Sequence, residues 1–197
     1  MIETWFLRSS EHHLLEIVLD DPICKDEPDS WFSLLCSLST RIGGLSFCLP
    51  SYEDLITSGL LGIKMPRLRR LHVDCYDEGP RSCCIDSKNM PSLRILSLEN
   101  VYPEISVPLS GITDLIYKTI HLPLLSRQLE VILSKLPDLR HICLKFYDVE
   151  DTSVTTLRIR LPPFMSLKLV SYSDVRLDAF RRFPIPQPSV LNIKGSL

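Results

Sequence analysis

Four segments of this chain share a nine-residue pattern that carries its own physical instructions. Met65-Pro66-Arg67-Leu68-Arg69-Arg70-Leu71-His72-Val73 returns as Met90-Pro91-Ser92-Leu93-Arg94-Ile95-Leu96-Ser97-Leu98. It returns again as Leu136-Pro137-Asp138-Leu139-Arg140-His141-Ile142-Cys143-Leu144 and as Leu161-Pro162-Pro163-Phe164-Met165-Ser166-Leu167-Lys168-Leu169. Each copy reads apolar, Pro, x, apolar, x, x, apolar, x, apolar. The proline stops the preceding element and biases its neighbour toward extended backbone. The closing apolar-x-apolar is strand alternation, which puts both large side chains on one face. The earlier apolar residue packs beneath them at the turn. Three buried aliphatics per copy contribute about 1.5–3 kcal/mol each, before ordering entropy is subtracted.

Weaker copies extend the register: Leu14/Ile17/Leu19, Ile42/Leu45/Phe47, Ile112/Leu115/Tyr117, and a remnant at Leu191/Ile193 with Pro188 in the first slot. The first slots fall at 14, 42, 68, 93, 112, 139, 164 and 188, with gaps of 28, 26, 25, 19, 27, 25 and 24. That spacing is close to the period of leucine-rich repeats. Residues 154–159 offer a rival to the strand at 164–169; the proline and the spacing favour the latter. Helical segments are expected between strands. Asp29 or Ser30 caps one that carries Trp31, Leu34, Leu35 and Leu38 on a single face. Ser51 with Asp54 opens 55–61 in the manner of a capping box. Ser126 caps 128–136, and Ser173 starts 175–183. The expectation is an α/β leucine-rich-repeat solenoid, with parallel strands on the concave face and helices on the convex face. It forms one domain over residues 1–197, with about seven to eight irregular repeats and strands near 68–74, 93–99 and 139–145.

Composition narrows the function. With 45% hydrophobic and 23% charged residues the chain is ordinarily globular. A net charge of −2, with no block of like charge, gives none of the long-range pull of non-specific nucleic-acid binding. No stretch of about 18 apolar residues occurs, and Glu16 interrupts Leu14 to Leu19. The acidic Glu3 does not fit a secretory leader. Neither a nucleic-acid nor a membrane partner is expected, and the location expected is intracellular, cytoplasmic or nuclear. The seven cysteines, an odd count, read as reduced thiols without a structural disulfide. Fifteen prolines against seven glycines imply many short elements.

The Met-Pro-x-Leu-Arg lead into the strands, together with Trp5-Phe6-Leu7-Arg8-Ser9-Ser10 ahead of Leu14 to Leu19, resembles the leucine-rich-repeat region of fungal F-box proteins, over nearly the whole chain. The resemblance implies a substrate receptor of cullin-type ubiquitin ligases, in which the F-box docks on the adaptor and the repeats hold the target. Two departures qualify it. No F-box precedes Trp5, so an adaptor contact is expected only where an F-box lies upstream. The ninth repeat position holds Tyr76, Val101 or Tyr147 where many repeats use Asn, so no asparagine ladder is expected.

Sites of chemistry are not evident. His12-His13 has no second ligand pair at metal spacing and reads as a loop. Cys83-Cys84 with Cys75 contains no C-x-x-C and reads as inert thiols. No G-x-S-x-G and no phosphate-binding glycine loop occurs. Gly43-Gly44 reads as a helix stop before a strand. The acidic run 148–151 reads as a solvated turn, and Arg181-Arg182 as a helix C-terminal pair. No catalytic residue, metal or cofactor is expected.

The better candidate is the strand face turned away from the core. It carries Arg70, His72 and Asp74, then Ile95, Ser97 and Glu99, then Asp114, Ile116 and Lys118, then His141, Cys143 and Lys145. The mixture of both charges with apolar residues suits a protein target on the concave face of a solenoid; an ordinary solvated sheet face is the alternative. A non-enzymatic protein-binding module is therefore expected. The runner-up is a truncated or degenerate structural fragment, and a hydrolase or transferase ranks below both. Trp5, Phe6 and Leu7 are the large apolar residues ahead of the first strand. They cover its edge only in part, which predicts self-association of the chain as it stands.

Overall fold

The computed structural model describes residues 13–19, 28–49, 60–75, 81–105, 107–119, 131–146, 166–171 and 190–195. Its strands are β1 (Leu15–Leu19), β2 (Ile42–Leu49), β3 (Arg70–Cys75), β4 (Arg81–Cys84), β5 (Ile95–Glu99), β6 (Val101–Glu104), β7 (Asp114–Thr119), β8 (His141–Phe146), β9 (Ser166–Ser171) and β10 (Val190–Gly195). Helix α1 spans Pro28–Leu38, and residues 131–134 form a further helical turn. Eight strands make one sheet in the order β1-β2-β3-β5-β7-β8-β9-β10, and every neighbouring pair is parallel. Sheet order follows chain order, so each connection brings the chain back to the same end and one place further along. That is a solenoid of parallel strands.

The proline-led segment makes a reverse turn. The Met65 carbonyl accepts the Leu68 N–H at 3.1 Å, Met90 that of Leu93 at 3.1 Å, and Leu136 that of Leu139 at 3.3 Å. Proline sits second in all three, where its fixed φ is already that of the turn. At the fourth such place the residues are Leu109-Ser110-Gly111-Ile112. Gly111 has φ 95°, the positive value that a type II turn requires at its third position and that glycine takes without strain. The turn delays the strands, which start at Arg70, Ile95 and His141, two residues beyond the expected 68, 93 and 139.

Inward slots carry the core. Leu71, Val73, Leu96, Leu98, Leu115, Tyr117, Ile142 and Leu144 are all buried, and Leu68, Leu93, Ile112 and Leu139 close the layer at the turn. A further apolar rank escaped the three-slot count: Met65, Met90, Leu109 and Leu136, the residues that open each turn, are buried as well. They also tie repeats together, since Met65 N–H donates to the Asn89 carbonyl and Leu109 N–H to that of Lys135.

The connections differ from the expected uniform helices. Helix α1 begins at Pro28, so Asp29 and Ser30 lie within its first turn and neither is its cap. Leu35 and Leu38 are buried from it, and Leu34 packs against them half-buried. After β3 and β5 the chain forms strands, β4 and β6, which pair in parallel as a second small sheet. A strand needs fewer residues than a helix to cross the same distance. The gap of 19 before Ile112 is shorter than the 25 before Leu93 chiefly because Asn100 alone separates β5 from β6, whereas residues 76–80 separate β3 from β4. Residues 60–62 are a single 3-10 turn. The expected helix at 175–183 and most of 55–61 lie outside the described residues, and 128–136 is described only from 131.

Two further readings are corrected. Gly43 and Gly44 lie inside β2, not at a helix stop. A Cβ on Gly43 would come within 2.8 Å of Leu14 Cβ, and one on Gly44 would run into the Glu16 carboxylate, so the side chains of Leu14 and Glu16 lie directly against this bare backbone. Leu14 itself is exposed, and Leu15 takes the buried place opposite Ile42 through a register shift. The rivalry near the C-terminal end is settled in favour of 164–169: β9 covers Ser166–Ser171 and sets Leu167 beside Ile142. Residues 154–159 lie outside the described residues. Among the described residues no helix is long and apolar enough to cross a membrane.

Candidate functional site

Parallel register places the outward residues of successive strands side by side, in rows that cross the sheet. The first row runs Arg70, Ile95, Asp114, His141, Ser166. The second runs Ser46, His72, Ser97, Ile116, Cys143, Lys168, and the third Asp74, Glu99, Lys118, Lys145, Val170. All twelve candidates named from the sequence therefore share one face: Arg70, His72, Asp74, Ile95, Ser97, Glu99, Asp114, Ile116, Lys118, His141, Cys143 and Lys145. Arg70 and His141 are exposed, and the others are half-buried except Asp74. Asp74 is 8% exposed and offers little surface to a partner. It sits in register between Cys48 and Glu99, and alternation alone gave no sign of its burial.

Charge divides along the third row, with Asp74 and Glu99 on β3 and β5 and Lys118 and Lys145 on β7 and β8. Across the division Lys118 and Glu99 form an ion pair, each with about a fifth of its side chain exposed. Arg70 reaches over β2 to Glu16 at 2.6 Å, but both are more than half exposed, so water screens the pair and it contributes little. His72 Nδ1 lies 2.9 Å from Ser97 Oγ. Burial lowers the His72 pKa; Asp74 opposes the shift, and Lys118 and Lys145 add to it. The imidazole is thereby held toward its neutral form.

His72, Asp74 and Glu99 bring one ligand-type atom each to within 4.8 Å of one another. His72 and Asp74 are two apart on one strand and so share a face, and Glu99 is the register partner of Asp74. That convergence needs the register of two repeats and could not be read from either repeat alone. A divalent cation there would compete with the Lys118 ammonium already on Glu99.

The cysteines fall into two environments. Cys83 on β4 is buried, and desolvation first, then the neighbouring Cys84 and Glu104, pushes its thiol up to about 12. Cys84 is exposed, and its thiol donates to Glu104 Oε2 at 3.4 Å, the main cause of its raised pKa. Neither is activated as a nucleophile. His13 is exposed, while His12 and Cys75's side chain lie outside what is described.

Sequence reading stopped at the fourth strand of candidates and missed the next. The same slots in the copy at 164 give Ser166, Lys168 and Val170, all half-buried on β9 and all in the rows above. It also passed over the arginines of the turn edge, Arg69, Arg94 and Arg140, which are exposed. No protein-family model, curated protein or solved structure matches the chain.

Proposed function

We propose that this chain is a non-enzymatic protein-binding module, whose open sheet face receives the target and whose layout is that of leucine-rich repeats. The observation that carries the reading is the continuity of that face. Rows of half-buried polar, charged and apolar side chains run unbroken from β3 to β9. Rigid parallel strands hold such rows in place, and mixed chemistry in fixed positions is how an extended solenoid surface discriminates between partners. The resemblance to the repeats of F-box substrate receptors adds a role, recruitment of a target to a ubiquitin ligase. No residue of this chain is proposed for the adaptor contact.

The test is capture of proteins from an extract by the chain and by a Ser97→Arg/Ile116→Glu variant, which alters the middle row without touching the inward slots. The reading expects a defined set of proteins with the parent chain and their loss with the variant, at unchanged circular dichroism. Identical capture by both would overturn it.

A further inference from the structure

The ladder of backbone hydrogen bonds continues one rung before the strands begin. Arg69 N–H donates to the Gly43 carbonyl, Arg94 N–H to that of Arg69, Thr113 N–H to that of Arg94, and Arg140 N–H to that of Thr113. Arg69 and Arg94 therefore stand on adjacent rungs, and Arg140 stands two rungs further on. With neighbouring strands about 4.8 Å apart, the three positions cover roughly 14 Å along one edge of the sheet. All three side chains are exposed, as is that of Arg67, two residues before Arg69.

Carboxylates at this edge are already engaged. Glu16 holds Arg70, Asp114 Oδ2 accepts the Thr113 hydroxyl at 2.6 Å, and Asp138 Oδ2 accepts the Gly111 amide at 2.7 Å. Arg69, Arg94 and Arg140 form no ion pair with another described residue. Arg94 is also held in place. Its Nη1 donates to the Leu93 carbonyl at 2.9 Å and lies where a Cβ on Gly111 would be, 2.5 Å away. A chain of net charge −2 thus presents along one edge a line of guanidinium groups that have no carboxylate partner among the described residues.

We propose that this edge docks an acidic, extended peptide segment of the partner, with carboxylates on Arg69–Arg94 and again on Arg140. The proposal rests on the protein-binding reading above and names the chemistry of one part of the target. Carboxylates four residues apart on an extended strand are about 13 Å apart, which matches the span of the row. Guanidinium groups bind carboxylates through paired hydrogen bonds and are the side chains best suited to such contacts. The row is broken at Thr113, beside Asp114 and Asp138. A peptide with neutral residues between its acids accommodates that break, whereas the evenly charged backbone of a nucleic acid would meet those two carboxylates.

Fluorescence anisotropy on the full chain tests this, with a labelled decapeptide alternating Glu and Ser as probe. Binding is expected at low ionic strength and should weaken as salt screens the pairs. A decapeptide alternating Gln and Ser should not bind. Arg69→Gln/Arg94→Gln/Arg140→Gln should weaken binding about tenfold or more, and Arg140→Gln alone should weaken it measurably if the triple variant folds poorly. Lys64→Gln/Lys88→Gln, which removes two exposed charges ahead of the turns, should leave it unchanged. Absence of binding, equal binding of the Gln peptide, an equal loss in the lysine variant, or tighter binding of an oligothymidylate of the same charge would each overturn the proposal. Loss of peptide binding in Ser97→Arg/Ile116→Glu but not in the arginine variants would also overturn it, while leaving the protein-binding reading intact.

Discussion

Leu96 lies at the middle of the main sheet with no exposed surface, between Leu71 and Leu115 in register. Cutting it to alanine leaves a cavity that the flanking strands cannot close without moving their hydrogen bonds. Leu96→Ala should therefore cost about 2–5 kcal/mol in denaturant melts, and Ile95→Ala, on the open face one residue away, should cost clearly less. Equal losses would reverse the assignment of faces. Gly111 makes a separate demand. Its φ of 95° and the Arg94 guanidinium packed against it both exclude a side chain, so Gly111→Ala should cost at least about 1–2 kcal/mol. An unchanged midpoint would mean that neither constraint holds. His72 makes stability depend on pH. Burial lowers its folded pKa from the ordinary 6.5, so the unfolded chain takes up the proton first. The contribution is whole above 6.5, begins to be lost as pH falls through that value, and levels off below the lowered folded value. Urea melts from neutral pH down to about pH 5 should show a smaller decline for His72→Gln than for the parent; equal declines would assign the effect to other groups. Inward residues were legible in the sequence because alternation with period two reports on a single strand. The burial of Asp74 was not, because it depends on packing from beyond its own strand.

At the scale of elements, the strands were legible and the connections were not. Every strand of the main sheet falls on an apolar-x-apolar site, including β10, where the copy is only a remnant. The second sheet, β4 and β6, gave no such signal, since Arg81-Ser82-Cys83-Cys84 and Val101-Tyr102-Pro103-Glu104 have neither clean alternation nor a helical stripe. Their pairing is a tertiary fact, set by the stacking of two neighbouring repeats, and Pro103 is tolerated in a strand at the edge of its sheet. Gly43-Gly44 looked like punctuation because glycine is read locally as a breaker, but the requirement is the close approach of the Leu14 and Glu16 side chains. Gly43→Ala should therefore loosen β1 in particular. Hydrogen exchange at Leu15–Leu19 should speed up while β7 and β8 keep their protection, and unaltered exchange in β1 would show that Leu14 simply moves aside. The β4–β6 contact makes a chemical prediction as well. Glu104 accepts the Cys84 thiol proton and raises its pKa, so Glu104→Gln should speed alkylation of Cys84 at fixed mildly alkaline pH. A rate that stays the same or falls would remove that hydrogen bond from the account.

For the whole molecule, the repeat spacing carried the architecture, because gaps between 19 and 28 residues leave room for little beyond a strand and its return. The site was legible only as a set of slots. Their grouping into rows, with the acids on β3 and β5 and the lysines on β7 and β8, comes from the order in which the strands stack. That order also governs how the molecule should lose its structure. In a closed or two-layered core a cavity is felt throughout, since every element touches the same interior. In a solenoid each repeat rests on its two neighbours, and stability is close to a sum of repeat terms and nearest-neighbour interfaces. A cavity then weakens the repeat that holds it and the ones beside it, and its effect fades along the row. Ile17 and Leu96 occupy equivalent inward slots three strands apart in the sheet order. Ile17→Ala should accelerate hydrogen exchange in β1 and β2 and leave β7 and β8 near the parent rates, whereas Leu96→Ala should accelerate β3, β5 and β7 most. Because the central cavity divides the array, Leu96→Ala should also broaden the denaturant transition, with a lower m-value than Ile17→Ala, as parts of the chain cease to unfold together. Uniform acceleration of every strand by both substitutions, with equally steep transitions, would show one indivisible core and would rule out a chain of repeats that stand by nearest-neighbour support.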